Sequence, residues 1–62
     1  MNTEIIGQAA GKVWNELNNN ECMTIQELKA ATNLSDAVLY AAIGWLAREG
    51  KLVENSGSYK LV

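Results

Sequence analysis

The chain contains no histidine and a single cysteine, Cys22, among its 62 residues. An internal disulfide and a Cys/His zinc site are therefore excluded. Catalysis loses its usual partners as well, because no imidazole exists to activate Cys22, and neither a glycine-rich phosphate loop nor a metal-ligand cluster occurs. The expectation is a non-enzymatic chain with no cofactor, no metal and no evident small-molecule ligand. Long apolar runs are missing too. Nothing approaches the roughly 20 residues of a membrane span, and Met1-Asn2-Thr3-Glu4 lacks the basic region of a signal peptide. No membrane partner and a cytoplasmic location follow as expectations, under which Asn33-Leu34-Ser35 is an accidental match to the glycosylation pattern. Positive charge is scarce: 5 Lys and Arg face 7 Asp and Glu, for a net charge of −2. Affinity for a phosphate backbone rests on clustered Lys and Arg, so the electrostatic case for nucleic acid starts weak.

What is present is apolar enough to fold, with 48% hydrophobic residues, far from the composition of a disordered chain. A chain this short buries only about 60% of the surface its unfolded form exposes, so residues 1–62 read as one domain with a thin stability margin. Domains of this size are often reinforced by a metal, a disulfide or a second subunit, and the first two are already excluded. Oligomerisation is the remaining reinforcement.

Ile5, Ile6, Ala9, Ala10, Val13, Trp14 and Leu17 recur at the three-and-four spacing of an apolar helical stripe. With Thr3 as N-cap and Asn18-Asn19-Asn20 as terminator, helix one is expected over roughly residues 4–17. Cys22-Met23 reads as a minimal strand, with Cys22 a small buried hydrophobe. Thr24 and Glu27 have the spacing of a capping box, which opens helix two with Ile25, Leu28 and Ala31 inward and an end near Thr32. Asn33-Leu34 turns the chain. Ser35 caps helix three, Asp36 suits its dipole, Leu39, Ile43 and Leu46 form its buried stripe, and Gly50 supplies a left-handed C-terminal residue.

A hairpin follows. With Ser56-Gly57 as a two-residue turn, Leu52 faces Leu61, Val53 faces Lys60 and Glu54 faces Tyr59; a four-residue loop from Asn55 to Ser58 keeps the same register. The fold class is α+β: helix, short strand, helix, helix, and a C-terminal hairpin that forms a wing.

Helix three carries the functional question. Off its buried stripe lie Ser35, Asp36, Ala37, Tyr40, Ala41 and Gly44, none of them the Lys, Arg, Asn or Gln that read purine edges. Ala37, Tyr40, Ala41, Gly44 and Trp45 instead suggest an apolar strip of small residues edged by aromatics, suited to a partner helix. In the plainer alternative Trp45 and Val38 pack inside against helix one and leave Tyr40 alone outside. For DNA, the residues nearest a groove or a phosphate would be Ser35, Tyr40, Arg48, Lys51 and Lys60. The basic members are offset by Glu49 and Glu54 in the same stretch. Gly7 and Gly11 on helix one each cost around 1 kcal/mol relative to alanine. Such a cost points to close approach, chiefly to tight packing on helix three within the chain, or else to a subunit contact.

The segment Leu39-Tyr40-Ala41-Ala42-Ile43-Gly44-Trp45-Leu46-Ala47-Arg48-Glu49-Gly50-Lys51-Leu52, with the Trp14 helix and the Thr24 capping box, closely resembles a family of very short bacterial winged helix-turn-helix proteins of unknown function, most like members from gut Bacteroides-type bacteria. The resemblance covers essentially the whole chain and implies a fold without an activity. More distantly the chain is similar to winged-helix transcription regulators, which share the Leu46-x-x-x-Gly50-x-Leu52 ending and the wing. It departs from them in lacking polar and basic residues on the outer side of helix three. The combined expectation is a binding module that contacts another protein or a second copy of itself through helix three, with a DNA-binding regulator as the alternative.

Overall fold

In the computed structural model, which describes Met1–Val62, the elements run α1 (Thr3–Asn19), β1 (Met23–Thr24), α2 (Ile25–Thr32), α3 (Asp36–Arg48), β2 (Leu52–Asn55) and β3 (Ser58–Leu61). The strands form one antiparallel sheet in the order β1-β3-β2. This is the winged-helix arrangement expected from the sequence.

Local chemistry sets each boundary. Asn2, not Thr3, caps α1: its Oδ1 accepts the Ile5 N–H at 2.8 Å, and Thr3 is already helical. The helix also runs two residues past Leu17, through Asn18 and Asn19, before Asn20 leaves it and donates from Nδ2 to the Glu16 carbonyl at 2.8 Å. The Thr24 capping box forms in both directions, with the Thr24 N–H on Glu27 Oε1 at 2.8 Å and the Glu27 N–H on Thr24 Oγ1 at 3.2 Å. Asn33 adopts the left-handed conformation at φ 58° and turns the chain toward Ser35, whose Oγ accepts the Val38 N–H at 3.3 Å.

A Schellman arrangement closes α3. Gly50, at φ 72°, donates to the Ala47 carbonyl at 3.0 Å, and Lys51 donates to the Leu46 carbonyl at 2.9 Å. That closure delivers Leu52 to the core at the first position of β2. The hairpin register is the expected one, Leu52 with Leu61, Val53 with Lys60 and Glu54 with Tyr59. Ser56 and Gly57 both have positive φ, 54° and 85°, as the tight two-residue turn requires. Glu54 reinforces the turn by accepting the Gly57 N–H at 2.8 Å.

The core lies between α1 and α3 and is floored by the sheet. Ala9, Ala10, Val13 and Leu17 of α1 meet Leu39, Ala42, Ile43 and Leu46 of α3, with Leu28, Met23 and Leu52 completing the cluster. Several expected core positions lie elsewhere. Ile5 and Trp14 flank the α1 stripe and are exposed, because α3 covers only the arc centred on Ala9, Val13 and Leu17. Ala31 is exposed and Thr32 buried, its hydroxyl donating to the Leu28 carbonyl at 2.7 Å. The first strand is Met23–Thr24 rather than Cys22-Met23, since Met23 pairs with Tyr59 and enters the core; Cys22, expected to be buried, is exposed.

Gly50→Ala forces a Cβ into left-handed backbone and should lower stability by about 1–2 kcal/mol. Urea unfolding followed by far-UV circular dichroism measures this, with Ala47→Gly as an exposed-helix comparison.

Candidate functional site

No group of three or more His, Cys, Asp or Glu is placed to hold a metal ion. The candidate contact residues lie on the outer side of α3 and the segments that adjoin it. At the head of α3, the Ser35 hydroxyl is engaged as a cap and Asp36 Oδ1 stands 2.7 Å from Lys29 Nζ of α2. The Asp36 carboxylate hydrogen-bonds Lys29 and attracts its charge, which raises the lysine pKa above its ordinary value. This ion pair bridges the two helices of the helix-turn-helix across its turn.

Below it, Ala37, Tyr40 and Gly44 are exposed and Ala41 is half-buried. Tyr40 is 54% exposed, and a Cβ added at Gly44 would meet nothing within 4 Å. Trp45 is half-buried and packs against the core, as does Val38. Trp45 is thus an inner residue by one face, while Ala37, Gly44 and Tyr40 are open to solvent.

The candidate DNA residues do not form one cluster of free charge. Lys51 Nζ is 3.4 Å from Glu49 Oε1, whereas Arg48 at the end of α3 and the exposed Lys60 on β3 have no carboxylate within ion-pair reach. Ser35 lies at the opposite end of α3 from Arg48.

A second feature escaped the sequence reading. Trp45 also borders a cleft of about 310 Å³ whose other wall is Gly7, Gly11 and Trp14 of α1, with Glu49 and Lys51 at its end. The tight packing of Gly7 and Gly11 against α3 does not occur: a Cβ at either glycine would meet nothing within 4 Å. The glycines are the open part of that cleft's α1 wall. The signal was available in their spacing, since Gly7, Gly11 and Trp14 stand four and three residues apart and share one line of the helix.

Two predictions arise here. The space around the glycines predicts that Gly7→Ala and Gly11→Ala each raise monomer stability, by about 1 kcal/mol, through helix propensity alone; thermal melts of dilute protein would register this. The Lys29–Asp36 pair predicts a pH dependence. Because the folded pKa of Lys29 is raised, its contribution is complete below the unfolded value and is lost as pH rises through the folded one. The stability difference between the wild type and Lys29→Met should therefore hold constant across neutral pH and shrink only at strongly alkaline pH.

The comparisons with known proteins agree with this architecture. The solution NMR structure of protein BT2368 from Bacteroides thetaiotaomicron superposes with a TM-score of 0.84 at 40% sequence identity, over 98% of this chain and 79% of that one. Among curated proteins none matches. The family model described as a winged helix-turn-helix domain, DUF2582, matches residues 1–62. The chain belongs to that family of winged helix-turn-helix domains.

Proposed function

We propose that the protein is a non-catalytic binding module whose contact surface for another protein chain is the outer side of α3. The observation that carries this reading is the chemistry of that side: Ala37, Ala41 and Gly44 leave the helix backbone approachable, and the 54%-exposed Tyr40 stands at its edge. An exposed tyrosine is the kind of side chain that anchors interface centres, and the small residues beside it let a partner backbone approach closely. The one acidic group at the head of the helix, Asp36, is already paired with Lys29. A second copy of the chain is the first partner to test, given how small a core a domain of this length buries.

The competing reading, a DNA-binding regulator, draws support from Arg48 and Lys60, which lie free of carboxylates at the end of α3 and on the wing. It has to work against the net charge of −2 and against a helix side without base-reading groups.

An amide-resolved NMR titration with mixed-sequence duplex DNA at low salt separates the two. Under the protein-contact reading, DNA leaves the spectrum unchanged, while raising the protein concentration or adding its partner perturbs Tyr40, Ala41 and Gly44. Shifts in α3 and the wing that fade with added salt would replace that reading with the regulator. Gly44→Glu introduces charge at an open position and should weaken any self-association through α3. An unchanged mass in sedimentation equilibrium would remove that self-contact.

A further inference from the structure

Ala37, Ala41, Gly44 and Arg48 follow one another at helical three-and-four spacing and so share one line along α3, directly opposite the buried Leu39 and Leu46. Tyr40 borders that line on one side and the half-buried Trp45 on the other. The result is a shallow trough with two aromatic banks and a bed of small residues, where a Cβ at Gly44 would meet nothing within 4 Å. Its charge is one-sided. At the head, Asp36 Oδ1 is held 2.7 Å from Lys29 Nζ, which leaves that end without net charge. At the foot, Arg48 is exposed and has no carboxylate within ion-pair reach. The trough therefore ends in a free cation, on a chain whose net charge is −2.

We propose that this trough takes an amphipathic helix of a different protein, laid antiparallel to α3, with carboxylates in its first turn and large aliphatic side chains along the face that follows. The inference rests on the reading of α3 as a protein contact and adds what the partner must be. Size comes from the bed. Alanine and glycine bring little volume of their own, so the bulk has to come from the partner, whose axis can approach to about 8 Å, the lower end of helix-packing distances. A second α3 would set small residues against small residues and supply no such bulk. Direction comes from charge. Helices favour Asp and Glu in the first turn and Lys and Arg in the last. Laid antiparallel, such a helix brings its acidic turn to Arg48; laid parallel, it sets its acidic turn beside Asp36 and its basic turn beside Arg48. Length follows as well, since the 13 residues of α3 extend about 18 Å between Asp36 and Arg48 and call for a partner of three to four turns. Duplex DNA is a poorer match. Its groove is lined by phosphates on both sides, which favours cations at both ends of α3, and the head carries Asp36.

The test titrates the whole isotope-labelled chain at low salt with two synthetic helical peptides of about 15 residues, long enough to span α3. Both carry leucines at three-and-four spacing and a nitroxide at the N-terminus; one has Glu in the first turn and Lys in the last, the other the reverse. The Glu-first peptide is expected to shift the amides of Tyr40, Gly44 and Arg48, and its nitroxide to broaden Arg48 and Glu49 while sparing Asp36 and Ala37. It should bind about threefold or more tighter than the Lys-first peptide, as an exposed ion pair gained in one and a repulsion in the other imply. Arg48→Gln should remove that preference with the circular dichroism unchanged. Broadening at Asp36 and Ala37 in place of Arg48 overturns the antiparallel contact. Equal affinities, or a preference that persists in Arg48→Gln, overturn the proposal while leaving α3 standing as a contact surface. Shifts confined to other elements, or none with either peptide, overturn it too, and the α3 reading is then decided separately by the concentration dependence of the Tyr40 and Gly44 signals.

Discussion

Everything in this fold depends on how closely α1 and α3 approach. Their shared core is built on alanines as much as on large side chains: Ala9 and Ala10 on one helix and Ala42 on the other are almost fully buried among Val13, Leu17, Leu39 and Leu46. Small residues at the crossing let the larger ones interlock on either side, so a chain with no phenylalanine still closes a packed core. The sheet serves that pair. Met23, Leu52 and, in part, Tyr59 and Leu61 seal the end of the crossing that α2 and Leu28 do not reach.

Because so little apolar surface is available, the turns have to be placed by local bonding rather than by bulk burial. Each helix of the chain begins at an oxygen-bearing side chain that takes up an N–H of its first turn, from Asn2, Thr24 and Ser35. The two sharpest reversals, after α3 and between β2 and β3, use glycine at positive φ. Such devices act over three or four residues, which is why they can be read from sequence: the capping box, Ser35, Gly50, the Ser56-Gly57 turn and the hairpin register all occur where their spacing placed them.

What sequence did not yield is equally specific. A three-and-four spacing marks a stripe on a helix, but not which flank of the stripe the neighbouring helix covers, and Ile5 and Trp14 stand on uncovered flanks. The same limit affects Ala31, which α2 turns outward. In a two-residue strand a one-residue shift exchanges inside for outside, and that shift exposes Cys22 in favour of Met23. The glycines of α1 illustrate a further gap. Periodicity shows that a position is bare without showing what, if anything, approaches it, and only the three-dimensional arrangement reveals that α3 does not. On α3 the division between Trp45, half turned inward, and Tyr40, turned out, likewise depended on where α1 crosses.

Thr24 has a role that reaches beyond its own turn. Its backbone pairs with Ser58 at the edge of the sheet, its side chain opens α2, and Met23 beside it is part of the core. Pulling β3 away would therefore strip the start of α2 of its support and withdraw a core side chain in the same motion. A wing joined to the helices in this way cannot fray as an independent flap. Opening of the hairpin is thereby coupled to the start of α2 and to the core, so hydrogen exchange in β3 is expected to follow unfolding of the domain rather than local breathing of the wing.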